Sequence, residues 1–282
     1  MSKESEMLDK TITVIKNLKN FYIKGKMMVD NKNNEPAKSI FVANVKGGVG
    51  KSTLSIMLAR SLAKLMPPQN ITVIDTDLQR TATEFLTVSN PEINVEFLPI
   101  TPAFENTNIS LVQQFIKQNE FKTGHVVIVD TPAGSSQRLW NLVAEGYCVL
   151  IPTTLSNADL LPTENFIRSM DKVKARYAKS LPHLVVCPNK IPFGQKDFSL
   201  MAERLKNHDV VIGPALRDLA SVRHFYNGRT ESWEKKSDGN AKNDFEKFGS
   251  FVQKYVLNGK LDKIYNEKND QGNIIPIGTA RN

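Results

Sequence analysis

Residues 46–53 constrain the fold of this 282-residue chain more than any other segment. They read Lys-Gly-Gly-Val-Gly-Lys-Ser-Thr, and they lie between the apolar run 40–43 and the apolar-periodic run 54–65. A strand, a glycine-rich loop and a helix in that order form the context in which a loop binds phosphate. The glycines let backbone N–H groups turn toward phosphate oxygens, and the helix N-terminus adds partial positive charge. The segment therefore predicts a phosphate-binding loop within an α/β domain.

Two side chains of this loop suit a nucleotide bound with a metal ion. Lys51 offers a mobile ammonium to the outer phosphates, and the Ser52 hydroxyl can ligate Mg²⁺. The residues of the loop that we predict to contact the nucleotide are Gly47, Gly48, Val49, Gly50, Lys51, Ser52 and Thr53. The usual pattern, G-x-x-x-x-G-K-[ST], has glycine at position 45. This chain instead has Val45 there, followed by a second lysine, Lys46.

With this departure, the loop resembles the deviant Walker A motif of the ParA/MinD superfamily. The resemblance implies ATP and Mg²⁺ as cofactors, and slow intrinsic ATP hydrolysis. It also implies that Lys46 reaches across a homodimer interface to the phosphates of the partner's ATP. Because we expect Lys46 to be incompletely satisfied within its own chain, a partner's phosphate is a favourable contact for it. ATP would then hold two subunits together, and hydrolysis would release them.

Two later motifs supply carboxylates. The apolar run 71–74 ends in Asp75-Thr-Asp77-Leu78-Gln79, which resembles the family's Asp-x-Asp-Pro-Gln motif, with Leu78 where proline is usual. The resemblance implies that Asp75 supports the Mg²⁺ site and that Asp77 orients the attacking water. In the run 125–130, four apolar residues follow His125 and end in Asp130, which matches a Walker B strand and predicts a Mg²⁺ ligand beside Ser52. The predicted catalytic residues are Lys46, Lys51 and Asp77, and the predicted metal site is Ser52, Asp75 and Asp130.

Two weaker signals concern the base of the nucleotide. Asn189 follows the apolar run 184–187, and it resembles the strand-end asparagine with which this superfamily reads adenine. Its amide offers both a donor and an acceptor, as the adenine edge requires. Pro214, after a later apolar segment, is a candidate to cover the base. The alternative for both residues is an ordinary role in a turn.

Apolar runs and helical periodicities alternate along the chain. This pattern predicts a P-loop NTPase-like α/β fold, a mostly parallel twisted sheet with helices on both faces. The predicted strands are 39–45, 71–75, 94–99, 125–130, 147–152, 183–188 and 209–212. The predicted helices are 52–65, 109–118, 136–145, 157–178, 197–206, 215–225 and 241–257. We predict a helical extension and linker at 1–37, an ATPase domain at 38–257 and a tail at 258–282.

Composition narrows the cellular context. No apolar run approaches the ~20 residues of a membrane span, and the N-terminus lacks a signal-peptide pattern, so we expect a cytoplasmic protein without membrane contact. Cys148 and Cys187 both lie in apolar runs, which indicates packing roles. The formal net charge is +8, yet residues 39–159 carry 8 basic and 10 acidic side chains. The basic excess therefore lies outside the half that contains the nucleotide motifs, and this favours a polyanionic partner.

The resemblance is greatest to plasmid-partition ParA proteins, which include the delta-type partition ATPases of Gram-positive plasmids. It implies an ATP-bound dimer that binds double-stranded DNA non-specifically, a centromere-binding ParB-like partner that stimulates hydrolysis, and association with the nucleoid. The candidate DNA contacts are Lys172, Lys174, Arg176, Arg217, Arg223 and Lys247. The alternative is a MinD-like spatial regulator at a membrane, for which the amphipathic run 241–257 and the basic N-terminal run 7–29 are candidate helices. We expect the first of these to pack on the domain.

Overall fold

The computed structural model describes residues 37–120, 122–134, 136–177, 182–218, 222 and 239–261. Residues 1–36, and with them nearly all of the predicted N-terminal extension, lie outside the described residues. So does the predicted tail from residue 262 onward.

Seven strands alternate with seven α-helices in the described part of the chain. The strands are β1 (Lys38–Val42), β2 (Ile71–Asp75), β3 (Asn94–Phe97), β4 (Val126–Asp130), β5 (Cys148–Thr153), β6 (His183–Pro188) and β7 (Val211–Ile212). The helices are α1 (Lys51–Ala63), α2 (Thr81–Ser89), α3 (Glu105–Asn119), α4 (Gln137–Val143), α5 (Asn157–Tyr177), α6 (Ser199–Leu205) and α7 (Gly239–Phe251). A π-helical segment, Val252–Leu257, continues α7.

The strands form one parallel sheet in the order β3-β2-β4-β1-β5-β6-β7. Every pair of neighbouring strands runs parallel. In the centre of the sheet, Val42 at the end of β1 lies opposite Asp130, and Asp130 lies opposite Asp75 at the end of β2. The predicted fold class is therefore confirmed, and the shared direction of the strands brings all three motifs to one edge of the sheet.

Helices cover both faces of the sheet, and each face has its own core. Along β1, Ile40 and Val42 belong to one core, whereas Phe41 belongs to the other. Alternate residues of a strand point to opposite faces, so a strand buried on both sides reads as a continuous apolar run. The first core packs against α1, α2 and α7, and the second against α3, α4, α5 and α6.

The predictions and the structure differ in several elements. Helix α2 was not predicted, because Thr81-Ala-Thr-Glu-Phe-Leu-Thr-Val-Ser89 is rich in β-branched residues that have low helix propensity. The predicted helix 215–225 is wrong at residues 215–218, which are not helical and lie beside β6 through a bridge between Ile191 and Arg217. The predicted helix 241–257 begins two residues earlier, and its last six residues are π-helical.

Candidate active site

The glycine-rich loop connects the end of β1 to the start of α1. Gly48 has φ of 76° and Gly50 has φ of 92°, a left-handed region that side-chain-bearing residues rarely adopt. Gly50 also lies against the Asn189 amide, which would collide with any Cβ at that position. Two independent constraints therefore require glycine at position 50, immediately before the first helical residue, Lys51.

Lys51 is buried inside the loop, with 6% of its surface exposed. Its Nζ donates a hydrogen bond to the Lys46 carbonyl oxygen at 3.1 Å. Burial lowers the pKa of Lys51, and the nearby carboxylates of Asp130 and Asp77 oppose that shift. The ammonium is therefore held at the centre of the loop, where it is poised to exchange a carbonyl partner for a phosphate oxygen.

Asp130 is fully buried beside the first turn of α1. The hydroxyl of Ser55 donates to its Oδ1 at 3.1 Å, and Ser52 also hydrogen-bonds to the carboxylate. Burial raises the pKa of Asp130 to about 8, and the carboxylate of Asp75 adds to the increase. Its Oδ2 is buried and has no hydrogen-bond partner within the described residues. An unpartnered buried carboxylate oxygen is costly unless a cation or a proton completes the site.

This arrangement fits Mg²⁺. The ion is usually held by one or two carboxylates, a hydroxyl and the phosphates of its substrate, with water completing the shell. Asp130 and Ser52 are in contact and supply a carboxylate and a hydroxyl. Within the described ranges, no group of three or more histidine, cysteine or acidic residues forms a metal cage. Such a cage is not needed by an ion that the nucleotide's own oxygens help to hold.

Asp75 organises the segment that carries Asp77. Its Oδ1 accepts a hydrogen bond from the Asp77 N–H at 3.1 Å, and its Oδ2 accepts from the Thr83 N–H at 2.9 Å and from the Thr83 hydroxyl at 3.0 Å. Asp77 is half-buried, and its Oδ1 accepts from the Gln79 N–H at 3.0 Å. Leu78 is 56% exposed. The Asp75 carboxylate thus fixes this turn without the family's proline, and direct contact of Asp75 with Mg²⁺ stays a prediction.

Lys46 has one acidic neighbour within its own chain, at a distance that leaves its ammonium incompletely satisfied, and its reach to a partner's ATP stays a prediction. Its Nζ lies 3.8 Å from Asp159 Oδ1, and its side chain is 42% exposed. The Lys46 N–H donates to Asn44 Oδ1 at 3.1 Å, and Asn44 in turn donates to Thr163 Oγ1 at 2.9 Å. No local pattern marks these residues, because Asp159 and Thr163 lie in a helix more than 100 residues beyond the loop and Asn44 acts by contacting that helix.

The two candidates for the base lie on adjoining segments. Asn189 is buried, and its Nδ2 donates to the Val49 carbonyl oxygen at 2.8 Å. Pro214 is half-buried after β7, and the Leu216 N–H donates to the Pro188 carbonyl oxygen at 2.8 Å. The Asn189 amide thus supports the phosphate loop, and the adenine contacts of both residues stay predictions.

The candidate DNA contacts do not form one described patch. Arg217 donates from Nε to Asp244 Oδ2 at 2.8 Å and from Nη2 to Asp244 Oδ1 at 2.7 Å, so its charge is neutralised. Lys172 and Lys247 are exposed, but they lie on α5 and α7, which cover opposite faces of the sheet. Lys174 and Arg176 lie in α5 without described side chains, and Arg223 lies outside the described residues.

The aromatic stripe of α7 faces inward. Phe245, Phe248, Phe251 and Val252 are buried in the first core, and the Ser61 hydroxyl of α1 donates to the Phe245 carbonyl oxygen at 3.1 Å. Among the helices that the structure describes, none is both long and apolar enough to cross a bilayer.

Comparisons with known proteins agree with this geometry. A model of the CobQ/CobB/MinD/ParA nucleotide binding domain matches residues 40–231. Protein ParA of Rhizobium radiobacter is 26% identical over 170 residues, which cover 60% of this chain and 68% of that protein. Septum site-determining protein MinD of Pyrococcus horikoshii OT3, solved with Mg-ADP, has a TM-score of 0.59 at 17% identity and covers 81% of this chain and 98% of its own. A candidate plasmid partition protein of Borrelia burgdorferi B31, bound to AMPPNP, has a TM-score of 0.54 at 18% identity, over 77% and 99%.

Proposed function

Because the chain belongs to the CobQ/CobB/MinD/ParA family of nucleotide-binding domains and is an ATPase of the ParA/MinD type, we propose that it is a DNA-segregation ATPase of the plasmid-partition class. In this role an ATP-bound homodimer binds double-stranded DNA non-specifically and associates with the nucleoid. A centromere-binding ParB-like partner stimulates hydrolysis, which releases the dimer from DNA.

The residues of the site have separate roles in ATP hydrolysis. Lys51 and the backbone N–H groups of the loop bind the phosphates, and Ser52 with Asp130 holds the metal. Mg²⁺, when bound, neutralises negative charge that develops on the transferred phosphoryl group. Asp77 orients the attacking water, and Asp75 keeps the Asp77 turn in position through its bonds to Thr83.

The position of Lys46 is the observation that supports ATP-dependent dimerisation. Its side chain is 42% exposed, and the distance of 3.8 Å between its ammonium and the Asp159 carboxylate is longer than a hydrogen bond. An exposed ion pair of this kind contributes about 0–1 kcal/mol, so little free energy opposes its opening. A phosphate carries more negative charge than the Asp159 carboxylate and offers several acceptor oxygens. Lys46 is therefore suited to leave Asp159 for the ATP of a second subunit.

Two observations support DNA as the partner of the dimer. The relative from Rhizobium radiobacter is named ParA, and the relative from Borrelia burgdorferi is described as a candidate plasmid partition protein. The net positive charge of the chain lies outside residues 39–159, where ATP binding does not require it. Lys172 and Lys247 are exposed members of that basic excess. Contact with phosphates would make binding strongly dependent on salt.

The alternative is a MinD-like spatial regulator, since the solved MinD protein has a fold as similar as that of the partition protein. That function needs an amphipathic helix whose apolar face meets the membrane. Helix α7 does not offer one, because Phe245, Phe248 and Phe251 are already buried in the first core. The N-terminal run 7–29 lies outside the described residues and stays the membrane candidate.

DNA retention and liposome flotation separate the two functions. The full-length protein is tested for retention on a DNA-coated surface with ATP, with ADP and without nucleotide, and for flotation with anionic vesicles under the same conditions. We expect retention with ATP only, a steep loss of retention with added salt, and no flotation. Flotation with ATP without DNA retention would reject segregation in favour of the spatial regulator.

A further inference from the structure

Lys190 is a second lysine that reaches the phosphate loop, although no motif points to it. It follows β6 directly, and its Nζ donates to the Gly48 carbonyl oxygen at 2.6 Å. Its neighbour Asn189 donates from Nδ2 to the Val49 carbonyl oxygen at 2.8 Å. Consecutive residues after β6 thus hold consecutive carbonyls of a loop that is about 140 residues away in sequence.

The backbone at Lys190 is fixed in the conformation that permits this contact. Its φ is 54°, one of two positive φ values at non-glycine residues in the described part of the chain. On one side, the Asn189 N–H donates to the Thr153 carbonyl oxygen at 2.7 Å, and on the other the Ile191 N–H donates to the Leu216 carbonyl oxygen at 3.0 Å. A left-handed lysine persists only where its surroundings determine it. The turn is therefore anchored to β5 and to the segment after β7, and the lysine extends from a fixed base.

The direction of a carbonyl determines the direction of the next N–H group. In a planar trans peptide the C=O and the following N–H point to opposite sides. When Lys190 holds the Gly48 carbonyl, the Val49 N–H points away from Asn189 and Lys190, the two residues that follow β6. Asn189 does the same for the Gly50 N–H. Successive N–H groups that point the same way form the concavity that binds anions.

We propose that Lys190 is a positioning residue of the phosphate loop: by holding the Gly48 carbonyl, it sets the Val49 N–H in place for the triphosphate before ATP arrives. The Lys190 stem also lies close to Gly50, with Cε 4.0 Å from where a Cβ would stand. Preset donors cost no reorganisation when the ligand binds, so the contribution of Lys190 is to affinity for phosphate. The proposal rests on nucleotide binding at this loop and is independent of the DNA partner.

The test uses Lys190→Met, which keeps the length of the stem and removes the ammonium. The matched control is Lys196→Met, which removes the same charge from an exposed position in the same connection between β6 and α6. Calorimetry with Mg²⁺ measures the affinity for ATP and for inorganic tripolyphosphate, and resonances of the Val49 and Gly50 amides are followed by NMR in the nucleotide-free protein. Lys190→Arg is included as the conservative variant.

We expect Lys190→Met to weaken ATP and tripolyphosphate binding by the same factor, about tenfold, as for loss of one hydrogen bond from a charged donor. We also expect the Val49 amide resonance to shift, and Lys190→Arg to restore most of the affinity. The Lys196→Met control is expected to retain its affinity for both ligands within about twofold.

Three outcomes would overturn the proposal. Loss of ATP affinity without loss of tripolyphosphate affinity would make Lys190 a contact of the base. Equal losses in Lys190→Met and Lys196→Met would show only a long-range effect of charge. An unchanged Val49 resonance in Lys190→Met would show that the bond does not orient the loop. If Lys190→Met fails to fold, Lys190→Gln is measured in the same way.

Discussion

The carboxyl ends of β1, β2 and β4 differ from the outer surfaces of helices α5 and α7 in how they hold charge. At the strand ends, Lys51, Asp75 and Asp130 are buried, and hydrogen bonds fix each of them. On the helices, Lys172 and Lys247 are exposed and lie on opposite faces of the sheet. Buried charges must have partners, so their geometry reports a ligand, whereas exposed charges carry no such requirement. Burial and hydrogen bonding therefore identify the nucleotide site within one chain, whereas exposure alone does not identify a surface that binds a macromolecule.

The largest effect expected at the buried site comes from Lys51→Met. We predict that ATP affinity falls by about 100-fold, because the central ammonium of the loop is lost and its hydrogen bonds to phosphate are charge-assisted. Calorimetry with Mg·ATP measures the loss, and thermal unfolding of the nucleotide-free variant is the control. Because burial of the ammonium is itself costly, the variant without nucleotide should be no less stable than the natural protein. Unchanged ATP affinity would contradict the inference that the buried ammonium of Lys51 binds phosphate.

Arg217 tests whether a residue assigned to the basic surface is structural. We predict that Arg217→Ala lowers the free energy of unfolding by about 1–3 kcal/mol, because the buried Asp244 carboxylate loses both guanidinium hydrogen bonds and keeps the bond from the N–H of residue 217. Lys247→Ala is the control, because Lys247 is an exposed residue of α7, the helix that also carries Asp244. It should change the free energy of unfolding by less than about 0.5 kcal/mol. Urea unfolding measures both. If Arg217→Ala is as stable as Lys247→Ala yet loses DNA retention, Arg217 belongs to the DNA-binding surface.

Asp130 gives the buried site a pH dependence that the surface lacks. In the folded protein the pKa of Asp130 is raised to about 8, whereas in the unfolded chain it has the ordinary value of 3.8. Between these values the folded state binds the proton and the unfolded state does not, so stability falls as pH rises. We predict that the nucleotide-free protein loses on the order of 1–2 kcal/mol between pH 6.5 and pH 8, and that Asp130→Asn removes most of this loss. Burial lowers the pKa of His125 to about 4, so its effect on stability has the opposite sign, but that effect is nearly complete above its ordinary value of 6.5. Urea unfolding at both pH values tests the prediction.

The matched control for that experiment is Asp209→Asn, at an exposed carboxylate. It should leave the dependence of stability on pH as it is in the natural protein. A loss of the pH dependence in this control, or its persistence in Asp130→Asn, would contradict the assignment to Asp130.

The smallest expected effects are those of the exposed lysines. We predict that Lys172→Ala and Lys247→Ala each weaken ATP-dependent DNA retention by about two- to threefold and each reduce the salt slope by about one. Lys117→Ala on α3 is the matched exposed control, and it should leave both quantities unchanged. If only one of the two variants weakens retention, DNA contacts a single face of the sheet. If neither does, the DNA surface lies outside these helices.

The same contrast explains how far sequence reasoning reaches. The phosphate loop, Asp75, Asp77 and Asp130 each stand at the end of an apolar run, and the parallel sheet brings those ends together. Lys190, Asp159 and Asn44 act through tertiary contacts with residues 100 or more positions away, or with the loop's backbone, and no local pattern marks them. Helix α2 was missed for a related reason, since its first turn is fixed by the bonds between Thr83 and Asp75 rather than by its own propensity.

The central claim is that ATP joins two copies of the chain through Lys46. Three variants decide it: Asp77→Ala, which blocks hydrolysis, the double variant with Lys46→Gln, and the matched double variant with Lys117→Gln. Size-exclusion chromatography with light scattering measures their mass with and without ATP. We predict that Asp77→Ala and its Lys117→Gln derivative become dimers with ATP, and that the Lys46→Gln derivative binds ATP but stays monomeric. A monomeric Asp77→Ala protein at saturating ATP would contradict the claim.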